Sequence, residues 1–246
     1  MNTSRTTIGK LAKWSAAGVG VGVAAYATYA GVTWLRYGRV PSSGEESDHL
    51  LDGFMATYDV VDHHHTHVAA PADVTFATAY DIELQDSPLV RAIFKGRELL
   101  LRSKPDGITR PRGLVALTES LGWGVLAEVP GREIVLGAVT QPWEANVVFR
   151  GLPPAEFVEF QEPGYVKIAW TLKVDPLDEQ HSLFRTETRA IATDVGARVR
   201  FRRYWSFLSP GIILIRRAML NSLRTEAERR VRQGLGVDGA AETPSL

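Results

Sequence analysis

The chain has 246 residues, 45% of them apolar and 23% charged, and its 28 Lys and Arg residues balance its 28 Asp and Glu residues. This composition is typical of a globular protein and excludes a largely disordered or collagen-like chain. The absence of cysteine excludes disulfides, thiolate metal sites and cysteine nucleophiles.

The first element along the chain is a predicted membrane anchor. No charged residue occurs from Trp14 to Leu35, and basic residues flank this run on both sides. A helix of about 20 apolar residues spans a bilayer, and aromatic residues near its ends favour the interface. We therefore predict a basic tail over residues 1–13, a transmembrane anchor over 14–35 and a linker over 36–55.

A cleavable signal peptide is the alternative interpretation of this segment, since Ala25-Tyr26-Ala27 offers a small-residue cleavage pattern. The arginines that follow the run, Arg36 and Arg39, favour a retained single-pass anchor in the cell membrane. Basic residues before the run slightly outweigh those after it, which favours a domain on the extracytoplasmic side.

The predicted domain covers residues 56–233 and begins with a strand that runs into a helix. The strand extends from Tyr58 to Ala70, and the helix follows over 71–80, because Pro71 suits the first turn of a helix. The Pro130-Gly131 pair then predicts a hairpin between strands at 123–129 and 132–141.

The cleanest periodicity lies in the next strand, over 165–175, where apolar and polar residues alternate. Such alternation predicts an antiparallel sheet with one buried face and one wet face. A further strand over 181–193 pairs with it, and a helix then runs from Asp194 to Arg232 with an interruption at 209–211. Residues 234–246 are predicted to form a flexible tail.

This order of elements resembles the START-like SRPBCC superfamily, whose members have the helix-grip fold. The resemblance lies in the strand-to-helix segment VAAPADVTF at 68–76, the Glu187-Thr188-Arg189 hairpin strand and the closing Arg202-Arg203-Tyr204-Trp205 helix. The chain looks most like uncharacterised, membrane-anchored bacterial members of this superfamily. The resemblance implies an α+β fold in which a curved antiparallel sheet wraps a long C-terminal helix, with a cavity for an apolar ligand between them.

Alternation and helical spacing predict which side chains converge between the sheet and the helix. Thr186 and Thr188 share a face with Phe184, and polar residues on an inner face favour a cavity over a dry core. The predicted ligand-binding residues are Trp123, Trp143, Trp170, Leu172, Phe184, Thr186, Thr188, Ile215, Met219 and Leu223.

Two polar clusters are candidates for chemistry, and neither predicts a catalytic or metal site. His63, His65 and His67 share one strand face, but the outer two are about 13 Å apart, too far to bind one ion easily. Glu187 lies between Arg185 and Arg189 on a face that is predicted to be solvated. We therefore predict no metal, no cofactor and no catalytic residue.

The C-terminal helix is rich in arginine, with ten arginines and no lysine over 194–232. One interpretation of these arginines is a solvated outer face. The other is attraction to anionic headgroups, since a tethered domain lies near the bilayer, and it predicts that Arg216, Arg217 and Arg224 face the membrane surface. Nucleic-acid binding is not predicted, because the chain is neutral overall and shows no aromatic-basic motif or DNA-binding element.

These observations predict membrane-tethered binding of a lipid or other hydrophobic small molecule, in the manner of a carrier or sensor. Two alternatives remain open: an enzyme of the START-like cyclase or hydrolase type, and a non-catalytic subunit of a membrane assembly or homo-oligomer. An enzyme requires titratable groups that converge in the cavity, whereas an assembly subunit predicts a filled core.

Overall fold

The structure is a computed structural model that describes residues 24–38, 48–82 and 111–234. The strands are β1 (Val60–Val68), β2 (Gly124–Val129), β3 (Glu133–Thr140), β4 (Phe149–Arg150), β5 (Val166–Pro176) and β6 (Ser182–Ala192). The helices are α1, described over residues 24–36, α2 (His49–Met55), α3 (Ala72–Asp81), α4 (Leu114–Ser120), α5 (Pro154–Glu159) and α6 (Val195–Arg232).

The strands form one antiparallel sheet in the order β1-β6-β5-β3-β2, and β4 pairs with β3. The predicted strands before and after the hairpin all occur, and the predicted helix at 71–80 is α3. In the hairpin, Gly131 has φ 71° and the Arg132 amide donates to the Val129 carbonyl at 3.0 Å. Glycine adopts this left-handed conformation without steric cost, which fixes the turn at the predicted position.

One face of the sheet, here called the inner face, packs against α3 and α6. Trp170, Leu172 and Val174 alternate along β5 and are buried in a core with Phe184 of β6 and with Met219 and Leu223 of α6. An antiparallel sheet packed against a long C-terminal helix is the helix-grip arrangement that the resemblance implies.

The predicted interruption of the last helix is wrong, because α6 runs without a break through Pro210. Proline removes one backbone hydrogen bond and usually kinks or ends a helix. Here contacts hold the chain helical on both sides of it. Ser209 Oγ lies 3.2 Å from Tyr29 Oη of α1, and the Arg216 side chain one and a half turns later is hydrogen-bonded to the sheet.

The opposite face of the sheet, here called the outer face, is covered over much of its area, so the prediction of a wet face is wrong. α2 and α5 contact each other and reach strands β2, β3 and β5. Leu51 of α2 and Phe157 of α5 are fully buried against Val135, Val139 and Ala169. The outer face of the sheet, which the sequence predicts to be solvated, therefore forms a second core.

Residues 48–55 belong to this second core, although the sequence predicts a linker over 36–55. The Asp48 carboxylate caps α2 by accepting hydrogen bonds from the Leu50 and Leu51 amides, each at 3.1 Å. Such a cap stabilises a short helix by about 1 kcal/mol. The segment is therefore part of the folded domain.

Arg189 connects α2 to the outer face of β6. Its side chain is 2% exposed, and it donates to Glu187 Oε1 at 2.5 Å, to Asp52 Oδ1 at 2.6 Å and to the Met55 carbonyl at 2.7 Å. His63 Nδ1 lies 3.3 Å from the other carboxylate oxygen of Glu187. Glu187 and Arg189, which the sequence predicts to be exposed, thus belong to a buried ion network, whereas Arg185 is partly exposed and pairs with Asp175.

A second buried carboxylate gives the outer face a pH-dependent contribution to stability. Burial and the neighbouring Asp48 carboxylate raise the pKa of Glu133 from 4.5 to about 7, and Lys173, 3.2 Å from Glu133 Oε2, opposes this shift. The folded state then binds more protons than the unfolded state between these two pKa values. Stability conferred by this group is therefore full at low pH and declines as the pH rises through the window.

We expect the free energy of unfolding to fall as the pH rises from 4.5 to about 7, by up to about 3 kcal/mol. Glu133→Gln should flatten this part of the profile, because glutamine does not ionise. The measurement is urea unfolding at a series of pH values. Glu162→Gln is the control, since Glu162 forms an exposed ion pair with Arg150. An unchanged slope in Glu133→Gln would contradict the assignment.

Residues 24–36 form α1, which packs against the first half of α6. The Tyr26 hydroxyl donates to the Phe207 carbonyl, and the Arg202 guanidinium donates to the Trp34 carbonyl at 2.6 Å and lies 4.2 Å from the centre of its ring. Within the described residues, no helix combines the length and apolar character that crossing a bilayer requires. Residues 14–23 of the predicted anchor lie outside the described residues.

Candidate functional site

A cavity of about 570 Å³ lies between the inner face of the sheet and α6. This volume is within the range of small-molecule sites in proteins, about 300–1,000 Å³. Its walls come mainly from three sources: alternate residues of the strands, one face of α6, and the segment around β2 and β4, and Tyr26 of α1 adds to them. The cavity lies between the core around Trp170 and a smaller cluster around Phe201.

The strand wall follows from the two-residue period of the sheet. Val60 of β1 is paired with Ala190 of β6, and Ile168 of β5 is paired with the same Ala190. Thr188 and Trp170 are the next inward-facing pair along β6 and β5. The small side chain of Ala190 lies between larger neighbours, which leaves space above the centre of the sheet.

The helix wall follows a stripe on α6 whose members, such as Phe201, Trp205, Leu208, Ile212, Ile215 and Met219, are spaced three or four residues apart, and neighbours of this stripe widen the wall. This spacing places them on one face of an α-helix. Pro210 and Gly211 lie in the middle of the face, where bulky side chains would fill the space. The lining residues of α6 are Phe201, Tyr204, Trp205, Phe207, Leu208, Pro210, Gly211, Ile212, Ile215, Arg216 and Met219.

Aromatic side chains form the third wall. The Trp123 ring lies 5.1 Å from the Phe149 ring and makes an edge contact with Trp170 at 6.4 Å, measured between ring centres. Their positions depend on a close backbone approach, since the Gly151 amide donates to the Gly122 carbonyl at 2.5 Å. Only glycine fits at Gly122, which has φ 98° and whose Cβ would lie 2.3 Å from the Phe149 carbonyl oxygen.

Arg216 is the one cation in the cavity wall among the described residues. Its side chain is 14% exposed, and its Nε lies 3.3 Å from Asp62 Oδ2. One terminal nitrogen donates to Thr186 Oγ1 at 3.0 Å, and the other donates to Thr188 Oγ1. Burial lowers the pKa of Arg216, and the Asp62 carboxylate opposes this effect only in part.

Asp62 and His64 lie behind Arg216 and complete a polar cluster. The carboxylate of Asp62 is within 3.1 Å of His64 Nε2. Burial favours a raised pKa for Asp62, but the His64 hydrogen bond and the Arg216 charge outweigh it and lower the pKa. Within the described residues, no carboxylate or imidazole lines the cavity itself. The described part of the wall therefore offers one cationic group, Arg216, and the hydroxyls of Tyr26, Tyr204 and two threonines.

The structure brings together half of the predicted ligand-binding residues. Trp123, Trp170, Thr188, Ile215 and Met219 line the cavity. Leu172, Phe184 and Leu223 do not, because they belong to the close-packed core beyond its end.

The other two predicted residues lie near the cavity without lining it. Trp143 packs against the cluster around Phe201, and Arg200 lies 5.4 Å from the centre of its ring. Thr186 is buried and accepts a hydrogen bond from Arg216.

The prediction that Arg216 faces the membrane surface is wrong, because this side chain points to the sheet and pairs with Asp62. Arg217 and Arg224 are exposed, as a surface role requires. The difference follows from the helical period: Arg216 lies four residues after Ile212, on the apolar face.

Sequence reasoning missed the aromatic residues at the other end of the cavity, Phe201, Tyr204 and Trp205 of α6 and Phe149 of β4. The three helical residues have a sequence signal, because they continue the stripe of Ile212, Ile215 and Met219 towards the N-terminus. The predicted interruption of the helix conceals this continuity. Phe149 has no local signal, since β4 contains only two residues.

The histidines of β1 line a polar groove on the outer face of the sheet. His63 is paired with Glu187, and His65 and His67 are exposed. In the part of the chain that the structure describes, no group of three or more histidine or acidic residues could hold a metal ion.

No model of a known protein family matches this chain, and no curated protein is similar to it. Among solved structures, it is similar to a hypothetical protein of Helicobacter pylori, with 9% identity, a TM-score of 0.37 and coverage of 76% of this chain and 99% of that one.

The chain is also similar to the Zhui aromatase/cyclase from Streptomyces sp. R1128, with 16% identity, a TM-score of 0.24 and coverage of 72% and 99%. A third similar structure is a point mutant of norcoclaurine synthase from Thalictrum flavum, with 10% identity, a TM-score of 0.32 and coverage of 70% and 96%. At these identities and TM-scores, the likeness assigns neither a function nor a ligand to this chain.

Proposed function

We propose that this protein binds a hydrophobic small molecule or a lipid in the cavity between the sheet and α6. The observation that carries the proposal is the cavity itself, which has a volume of about 570 Å³ and walls of aromatic and aliphatic side chains. Protein interiors are normally packed without voids of this size. An open space bounded by apolar groups is therefore favourable for an apolar ligand and unfavourable for water.

The proposal includes attachment to a membrane through the apolar N-terminal run. Tyr26 and Phe207 line the cavity and are 45% and 51% exposed, so two of its aromatic lining side chains also reach the surface. Leu35, nine residues after Tyr26 on the same helix, is 63% exposed, and Arg203 and Arg217 of α6 are exposed as well. Apolar and basic side chains together are typical of surfaces that lie in a bilayer interface.

Membrane attachment is tested by flotation of the full chain with anionic vesicles. We expect the protein to float with the vesicles, and recovery of all the protein at the bottom of the gradient would contradict the attachment.

Ligand binding is tested by filling the cavity. N-phenylnaphthylamine is an uncharged dye whose fluorescence rises in apolar surroundings, and we expect the full chain to bind it. Ala190→Phe places a ring in the cavity and should weaken dye binding by about tenfold or more. Ala155→Phe is the matched control, because Ala155 is exposed on α5.

Two results would contradict the proposal. One is the absence of dye binding by the unmodified chain. The other is equal binding by Ala190→Phe and the control, which would place the dye elsewhere. The thermal unfolding midpoint of each variant establishes that it is folded before binding is compared.

An enzyme that acts on a hydrophobic substrate is the second candidate function. It is favoured by the Arg216 side chain in the cavity wall, with Asp62 and His64 directly behind it. Proton transfer requires an acid or base within hydrogen-bond reach of the substrate. The described lining residues include no carboxylate or imidazole, so binding is the function that the geometry supports better.

A further inference from the structure

The described walls of the cavity are mostly apolar and contain one charged side chain, Arg216, which meets Thr188. A buried guanidinium costs free energy unless its charge is compensated and its donors are used. Asp62 supplies one compensating charge, at 3.3 Å from Arg216 Nε. Asp62 faces only the Nε group, so the donors on the two terminal nitrogens of Arg216 need other partners.

A count of donors shows that this site is incomplete within the described residues. A guanidinium has five N–H groups. One goes to Thr186, one goes to Thr188 and the Nε group faces Asp62, so each terminal nitrogen keeps one N–H without a partner. Thr188 accepts its bond from Arg216 and so keeps its own hydroxyl hydrogen to donate. Three donors are thus available at one point of an apolar cavity.

The charge around Arg216 also leaves room for an anion. Asp62 is shared between Arg216 and His64, which lies 3.1 Å from the same carboxylate. The pKa of Arg216 is lowered by burial despite Asp62, so its surroundings do not fully stabilise the positive charge. A second negative charge near Arg216 would complete that stabilisation.

We propose that Arg216 and Thr188 form an anion subsite, and that the ligand of the cavity is an amphiphile with a carboxylate or similar anionic head. The inference rests on the proposed binding function. The head would accept hydrogen bonds from the free N–H groups of Arg216 and from the Thr188 hydroxyl. Its hydrocarbon part would lie against Trp170, Ile215 and Met219, which line the adjacent wall.

The guanidinium plane is suited to this task. Arginine binds carboxylates through two parallel N–H donors, and such charge-assisted bonds are stronger in apolar surroundings than in water. A purely structural role for Arg216, as the partner of Asp62, predicts no preference between an anionic ligand and a neutral ligand of the same length. The two roles can therefore be separated by experiment.

The test compares dodecanoate with dodecanol as competitors of N-phenylnaphthylamine on the full chain, at about pH 8, where a carboxylate is ionised. We expect dodecanoate to displace the dye at a concentration about tenfold lower than dodecanol. Asp62→Asn/Arg216→Gln removes both charges together, so that no buried charge is left unpaired, and it should abolish the preference. Arg217→Gln is the matched control, since Arg217 is the adjacent, exposed arginine.

Each outcome has a distinct meaning. Equal displacement by the two competitors, or a preference that persists in the double variant, overturns the anion subsite and leaves the binding function intact. Failure of the unmodified chain to bind the dye overturns the binding function itself. If the double variant does not fold, Thr188→Val replaces it, and the preference should then fall several-fold, because one of the donors to the head is lost.

Discussion

Replacing Arg189 by methionine is expected to lower the free energy of unfolding by about 3–5 kcal/mol. The side chain is 2% exposed and holds together Glu187 of β6 and Asp52 of α2. Without it, Glu187 keeps His63 as a partner but loses its charge-assisted bond at 2.5 Å. A buried carboxylate without its cation is costly, because the desolvation of its charge is no longer compensated.

The control for this experiment is Arg185→Met, on the same face of the same strand. Arg185 is 36% exposed and lies 3.1 Å from Asp175, so its pair is partly solvated. Ion pairs of that kind contribute about 0–1 kcal/mol. Urea unfolding followed by tryptophan fluorescence measures both variants. Equal, small losses of stability in the two variants would show that the Arg189 network does not hold α2 against the sheet.

The second large effect is expected at Gly151, next to the aromatic wall of the cavity. A Cβ atom at this position would lie 2.6 Å from the Gly124 nitrogen and 2.9 Å from the Trp123 carbonyl carbon. Both atoms are backbone, so Gly151→Ala must displace the start of β2 together with Trp123. We expect a loss of about 1–3 kcal/mol in the free energy of unfolding, and weaker dye binding because a wall of the cavity moves.

Gly53→Ala is the matched control for Gly151→Ala. Gly53 is a helical residue of α2, and no heavy atom of the described residues lies within 4 Å of its Cβ position. Alanine at such a position stabilises a helix by about 0.5–1 kcal/mol. Opposite signs for the two substitutions are therefore expected. If Gly151→Ala leaves both the free energy of unfolding and dye binding unchanged, the close approach of Gly151 and Gly124 is contradicted.

The inner half of the fold was predictable from the sequence because its signals are local. The alternation along β5 and the spacing of Ile215, Met219 and Leu223 on α6 each indicate which side chains face the core. The Pro130-Gly131 turn fixes the β2–β3 hairpin in the same way. Patterns of this kind depend only on residues that are close in the chain. The structure confirms the core-facing residues and the hairpin that they predict.

The outer half was not predictable, because its partners are distant in the chain. Asp52 and Arg189 are separated by 137 residues and meet only when α2 packs against the sheet. α2 itself has only seven residues, although Asp48 before it is a recognisable N-cap and Leu51 and Met55 are spaced by one helical turn. Charged residues on a strand predict a solvated face unless such a partner is known.

Arg216 shows the same limit at the site. Its position on α6 places Arg216 on the apolar face of the helix. Its charge nevertheless predicts exposure, because arginine is rarely buried without a partner. Its partner, Asp62, lies on the first strand, far away in sequence. The cavity residues could thus be predicted in part from periodicity, whereas the place of Arg216 in the cavity wall could not.

Native mass spectrometry of the full chain, followed by solvent extraction and identification of any released molecule, tests ligand binding most directly. We expect a protein mass increased by one hydrophobic molecule per chain, and loss of that molecule in Ala190→Phe. A mass that corresponds to the protein alone, together with no uptake of N-phenylnaphthylamine or dodecanoate, would contradict ligand binding in this cavity and favour a structural role in an assembly.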